Sequence, residues 1–272
     1  MIMKEDMEED HMTVANKDFS CMKGGMTIRG KEYADSEAKG KLIPVVIAHG
    51  FTADMRRSQP YAEYMAEKGY RAFIFDFCGG GFETISDGSF HDYMTPLSEV
   101  DDLKAVVSYL KTRDDIDFSK LILAGCSQGG FVAALTAAQL KDEVHGLALF
   151  YPALCIPDDA RAGSMQVIRF DPENIPECIG EGRMRLSGNY ARSVIRLNVF
   201  EEIDDYTGNV FIIHGTADNI VNYGYSLVAD EVYRKHGADT QLHLLPDAGH
   251  GFSGDDLEES CILFGKWADS LK

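Results

Sequence analysis

Long apolar runs are missing from the sequence. No stretch approaches the roughly 18 residues that a bilayer-spanning helix needs, and the opening segment MIMKEDMEED has neither the basic start nor the apolar middle of a secretion signal. The expectation is a cytoplasmic protein. Basic residues are also scarce: 26 Lys and Arg stand against 44 Asp and Glu, a net charge of −18. Such a surface repels phosphate backbones and anionic lipid, so neither nucleic acid nor a membrane is an expected partner. Cysteine occurs six times, scattered and never as Cys-x-x-Cys, which points to reduced thiols rather than a disulfide framework. The eight histidines include no His-x-x-x-His or His-Glu-x-x-His pair, so no metal and no cofactor are expected.

What is present is an ordinary globular composition, 45% hydrophobic and 26% charged over 272 residues, enough for one large α/β core. Residues 1–17 begin with an acidic cluster (Glu5, Asp6, Glu8, Glu9, Asp10) and read as a disordered or frayed tail. From Asp18 to Tyr33 the alternation around Lys23-Gly-Gly-Met26 predicts a hairpin of two short strands. Short apolar runs then alternate with stretches of helical period. Strands are expected at Leu42–Ala48, Arg71–Phe77, Leu121–Ala124, Gly146–Tyr151, Val210–His214 and Thr240–Leu245. Helices are expected near Arg56–Lys68, Leu97–Thr112, Gln128–Lys141, Tyr223–His236 and Leu257–Leu271. This rhythm predicts a mostly parallel sheet with helices on both faces. It is interrupted at 152–207, read as an insertion into a core formed by 18–151 and 208–272.

The strongest chemical signal is Leu121-Ile-Leu-Ala-Gly125-Cys-Ser127-Gln-Gly129 followed by an Ala-rich helix. Strand, Gly-x-Ser-x-Gly and helix in that order predict a turn too sharp for side chains at 125 and 129, presenting Ser127 at a helix N-terminus. A serine hydroxyl needs a base, and the base needs an orienting carboxylate. In the expected order Ser, acid, His, the loop after Val210–His214 supplies Asp218, and the loop after Thr240–Leu245 supplies His250. Asp158 and Asp159 are reserve acids, and His49, His214 and His243 are rival bases. The two oxyanion donors are expected to be the amides of Gln128 and of Phe51, in the early loop His49-Gly-Phe-Thr52. Gly79-Gly80-Gly81 lacks the spacing of a nucleotide cradle and reads as a tight loop, and Cys126 reads as packing.

These elements, in register from about residue 18 to 271, resemble the α/β-hydrolase superfamily. His49-Gly-Phe-Thr-Ala, Asp76-Phe before the Gly run, Gly125-Cys-Ser-Gln-Gly-Gly and His214-Gly-Thr-Ala-Asp218 are similar to bacterial cinnamoyl (feruloyl) esterases. The resemblance implies an α/β-hydrolase fold in which the insertion caps an acyl pocket, with Asp159, Gln166 and Tyr190 as polar groups toward the substrate's phenolic hydroxyl. One departure concerns the pocket wall: Cys78-Gly-Gly-Gly-Phe82 stands where family members often read Gly-His-Gly or Gly-Asn-Gly. The expected activity is that of a serine carboxylesterase acting on a small-molecule ester through an acyl-enzyme. A serine aminopeptidase or acyl-peptide hydrolase-like enzyme, and a non-catalytic ligand-binding homologue, are the alternatives. Nothing in the sequence decides oligomeric state, and a homodimer is compatible with it.

Overall fold

Polar residues alternate through the first described segment, and they form a strand. The computed structural model describes residues 13–272. β1 (Val14–Lys23) and β2 (Met26–Asp35) form a fully paired antiparallel hairpin around a two-residue Gly24-Gly25 turn, in which Gly24 has φ +57°, a conformation suited to glycine. Both strands are longer than the sequence predicts. Residues 14–17, read from sequence as part of a frayed tail, pair with Asp35 to Glu32. As an edge strand β1 keeps one face in solvent and buries only Phe19 and Cys21, so its apolar signal is weak. Residues 1–12 of the expected tail lie outside the described residues.

The next elements are β3 (Pro44–Ala48), α1 (Gln59–Glu67), β4 (Arg71–Asp76), α2 (Pro96–Leu110), β5 (Ile122–Cys126), α3 (Gln128–Gln139) and β6 (Gly146–Phe150). The helix expected from Arg56 is divided: a 3-10 turn at Met55–Ser58 precedes α1, because Pro60 lacks an N–H and is tolerated only in a first helical turn. The insertion holds α4 (Ile156–Arg161), two-residue strands β7 (Ser164–Met165), β8 (Ile168–Arg169), β9 (Cys178–Ile179) and β10 (Leu186–Ser187), then α5 (Asn189–Val194) and α6 (Val199–Glu202). β11 (Asn209–Gly215), α7 (Gly224–Lys235), β12 (Asp239–Leu245) and α8 (Asp255–Asp269) complete the chain.

The large sheet has the order β1-β2-β4-β3-β5-β6-β11-β12, antiparallel at β1–β2 and β2–β4 and parallel thereafter. Successive side chains of a strand point to opposite faces, and β3 shows the result. Val45 and Ile47 pack with α1 and α8, whereas Val46 and Ala48 pack with α2 and α3. From β3 the chain goes to β4 on one side, and it later enters β5 on the other. The loops after β3 and β5 therefore diverge from one point on the carboxyl edge, where open α/β sheets form their ligand cleft. Among the described residues no helix is long and apolar enough to cross a membrane.

On the face opposite the insertion, Phe264 of α8 is fully buried, 5.3 Å from Phe150 and 6.1 Å from both Phe211 and Trp267 between ring centroids. Phe264→Ala should cost about 3–5 kcal/mol, measured as a lowered urea midpoint. A shift below about 1 kcal/mol would mean that α8 contributes little to the core.

Candidate active site

Ser127 sits at the end of β5, immediately before α3, with φ +55° and ψ −120°. A non-glycine residue in such a conformation is strained and is held by its surroundings. The holding is backbone against backbone. A Cβ on Gly125 would lie 2.1 Å from the Gly129 carbonyl oxygen, and one on Gly129 would lie 2.4 Å from the carbonyl oxygens of Ala48 and His49. The Ser127 amide donates to the Phe150 carbonyl at 3.0 Å, and the Ser127 carbonyl accepts from Gly130 and Ala153, both at 2.9 Å. The turn therefore docks onto the ends of β3 and β6 at once.

Three of the residues expected from sequence form a hydrogen-bonded line. His250 Nε2 lies 2.9 Å from Ser127 Oγ, and its Nδ1 lies 2.7 Å from Asp218 Oδ2. The Asp218 side chain is shut off from solvent. Burial alone would raise its pKa, but bonds from His214, His250 and the amides of Val221 and Ile220 hold the carboxyl well below the usual range. All its acceptor sites are thereby used: Oδ1 takes the Ile220 and Val221 amides, each at 2.9 Å, and Oδ2 takes His250 and His214.

The rival bases are occupied elsewhere. His49 is buried, donating from Nδ1 to the Gly50 carbonyl (2.9 Å) and accepting the Phe77 amide at Nε2 (3.3 Å). His243 lies in β12 beside the Phe211 ring. His214 is a buttress: its Nε2 faces Asp218 Oδ2 and the Val221 carbonyl, both at 3.1 Å, and Nδ1 meets Ser226 Oγ at 2.7 Å. That role was missed from sequence, although a histidine four residues before the acid, within one strand-to-loop turn, was a usable signal. The reserve acid Asp158 is committed to Arg161 (2.5 Å) and Tyr225 (2.7 Å).

Phe51 and Gln128 converge beside Ser127. The Gly50 backbone approaches so closely that a Cβ there would be 3.1 Å from Ser127 Cβ. Gly81 fixes the same loop from behind, bridging to Thr52 and leaving room for the Ala53 carbonyl at a distance no side chain would permit. The amide of Gln128 is the first of α3, without an intrahelical acceptor, and the Phe51 amide has no backbone acceptor among the described residues. Both are free to bind an oxyanion. Cys126 is buried, which pushes its thiol up to about 12.

A cavity of about 420 Å³ opens from Ser127 toward the insertion, and Asp159, Gln166 and Tyr190 all line it together with Phe51 and Gln128. Asp159 is half-buried, and burial raises its carboxyl pKa. Gln166 is exposed at the tip of the β7–β8 turn with φ +51°. Tyr190 is buried, its ring edge-on to Phe51 at 5.6 Å, and its hydroxyl donates to Gln128 Oε1. The Gln128 amide group in turn donates to Glu99 Oε2 of α2 at 2.7 Å. Glu99 is fully buried, and desolvation lifts its pKa well above the ordinary value. This Tyr190–Gln128–Glu99 chain ties the insertion to the elbow and was not foreseen.

Asp218 and Glu99 give opposite pH signatures. Asp218, with its folded pKa depressed, contributes stability that is complete above the unfolded value and lost as pH falls through the folded one. Glu99, with its folded pKa raised, contributes stability that is complete below the unfolded value and lost as pH rises toward the folded one. Glu99→Gln keeps an acceptor for Gln128 and should flatten the loss of stability above about pH 4.5. Glu99→Ala leaves the Gln128 donor unpaired and should cost about 1–3 kcal/mol. Urea midpoints from pH 4 to 9 check both, and equal behaviour of the two variants would show that the buried chain carries no such energy.

Comparison with known proteins places the fold and the family. Est1E from Butyrivibrio proteoclasticus, solved with bound ferulic acid, is 29% identical and superposes with a TM-score of 0.84 over 93% of this chain and 98% of its own. The uncharacterized protein YfhR of Escherichia coli (strain K12) is 22% identical over 242 residues, 84% of this chain and 71% of that protein. The quorum-quenching protein AidA of Acinetobacter baumannii is 32% identical over 95 residues, 35% of this chain and 30% of its own. Residues 43–186, more than half of the chain, match the family described as serine aminopeptidase, S33 (Hydrolase_4). With that match added to the sheet order and the serine elbow, the chain belongs to the serine aminopeptidase S33 family, hydrolases of the α/β-hydrolase fold.

Proposed function

We propose that the protein is a serine carboxylesterase that cleaves small or aromatic, hydroxycinnamoyl-type esters through an acyl-enzyme. The observation that carries this reading is the Ser127–His250–Asp218 line, 2.9 and 2.7 Å between the bonded atoms, opening on a cavity. His250 Nε2 takes the Ser127 proton as Oγ attacks the ester carbonyl, and Asp218 stays ionised, fixing the tautomer and stabilising the imidazolium. The Phe51 and Gln128 amides hold the oxyanion, supported by the N-terminal dipole of α3. His250 then passes its proton to the departing alcohol and activates the water that releases the acid.

The cavity supports an aromatic acyl group. Its volume is within the usual range for small-molecule sites, and it is walled by Phe51, Ile156, Met165, Ile168 and Tyr190, with Asp159 and Gln166 as polar groups for a phenolic hydroxyl. The ferulic acid held by Est1E, over nearly the whole length of both chains, supports the same choice. The family description favours a second reading, an aminopeptidase acting on an amide. Among the described residues that line the cavity, Asp159 is the one carboxylate such a substrate's ammonium would meet.

Ser127→Ala should lower kcat/KM by about 10⁴-fold or more, and Asp218→Asn by about 10⁴-fold, with folding intact. Methyl ferulate, p-nitrophenyl butyrate and an aminoacyl anilide, each run with wild type and Ser127→Ala, are the test. Ester cleavage lost in the variant is the expected outcome. Faster anilide cleavage would replace the esterase reading with the aminopeptidase one, and Ser127-independent turnover would overturn the mechanism.

A further inference from the structure

A second cavity, of about 480 Å³, shares Phe51 with the first. It is formed where three segments meet: the turn after β3 supplies Asp54, Arg56 and Arg57, the loop after β4 supplies Phe82 and Glu83, and the insertion supplies Arg183. Three guanidiniums thus gather on a chain whose net charge is −18. The two carboxylates present are both committed to one of them, Arg56, at 2.7 Å (Asp54) and 2.6 Å (Glu83). Arg57 and Arg183 have no carboxylate within ion-pair distance among the described residues. Arg183 is steadied by an aromatic face, its guanidinium 4.1 Å above the Phe82 ring, a stack that orders the group without neutralising it. Phe82 in turn packs on Phe90 at 4.8 Å. Phe82 closes the Gly79–Gly81 run, the stretch where the sequence departs from the family it resembles.

We propose that this cavity is a leaving-group subsite for esters whose alcohol carries a carboxylate. The proposal rests on the esterase reading of Ser127. Phe51 is common to both cavities, and its amide is one of the two oxyanion donors, so the reacting carbon lies beside it. With the acyl group in the cavity under Tyr190, the alkoxy substituent is directed past Phe51 into the second cavity. As Ser127 Oγ bonds to the carbonyl carbon, the carbon–alkoxy bond breaks and the departing oxygen takes its proton from His250. A carboxylate on that alcohol meets Arg57 and Arg183. The remainder of the surface is acidic and works against an anionic substrate, so a preference for one has to come from this local cluster.

The test compares 3-carboxyphenyl butyrate with 3-carbamoylphenyl butyrate, alike in acyl group and shape and different in charge. Wild type should favour the carboxylate ester in kcat/KM by about fivefold or more, the scale of a partly exposed charge pair, and the preference should shrink on going from 0.05 to 0.5 M NaCl. In Arg57→Gln/Arg183→Gln the ratio should fall to about one or below. The ratio is taken within each variant, so a loss of folded protein cancels from it. A wild-type ratio of one or less, or a ratio the double variant leaves unchanged, overturns the subsite while the esterase stands. Calorimetric binding of 3-hydroxybenzoate and 3-hydroxybenzamide to Ser127→Ala separates the remaining cases. Selective 3-hydroxybenzoate binding, lost in the double variant of a protein that cleaves no ester, overturns the esterase reading and keeps a carboxylate cavity; absence of both overturns the two together.

Discussion

Everything at the site depends on how closely three stretches of backbone approach one another. The carbonyls of Ala48 and His49 lie against Gly129, and the Gly129 carbonyl lies against Gly125, at separations that leave no space for a Cβ. This contact holds Ser127 in a conformation it would not adopt freely, and it fixes the start of α3 relative to the end of β3. Ser127 and the amides of Phe51 and Gln128 therefore share one rigid unit. Catalytic groups held this way need no reorganisation when charge develops.

Around that unit the electrostatics divide into two regimes. Asp218 is saturated with donors and stays charged out of contact with water. Glu99, more deeply buried and with little compensation, is driven toward its neutral form. The first polarises the histidine. The second forms the far end of a buried chain through Gln128 to Tyr190, so the first residue of α3 has its side chain held between a core helix and the insertion. α5 is thereby tied to the elbow by hydrogen bonds and not only by packing.

Much of this was legible in the chain. The buried parallel strands read as continuous apolar runs, and the Ser, acid, His order followed from loops placed after particular strands. Less legible were features whose cause lies in other segments. β1 was underestimated because one of its faces is solvated, and the insertion's two-residue strands are too short to leave any period. His214 was read as a rival base because its partner, Asp218, sits around a turn that sequence alone does not close. Glu99 left a faint signal: with Leu103, Val106 and Leu110 it shares the apolar stripe of α2, where an acidic residue is out of place unless paired. Arg57 and Arg183 come from distant segments and meet only in three dimensions.

The insertion also has a topological role. It leaves the carboxyl end of β6 and returns to the start of β11, and those two strands are parallel neighbours. It therefore occupies the place of a crossover, the connection that any two adjacent parallel strands require to travel from one end of the sheet to the other. Tyr206 and Asn209 mark its return, bonding to the carbonyls of Val144 and His145 at the opposite edge. The segment that walls the cavity beside Ser127 is thus the one that joins β11 and β12 to the other six strands of the sheet. Its surface loops can vary in sequence and so change what the site accepts, but its span cannot be excised without separating Ser127 from the strands that carry Asp218 and His250.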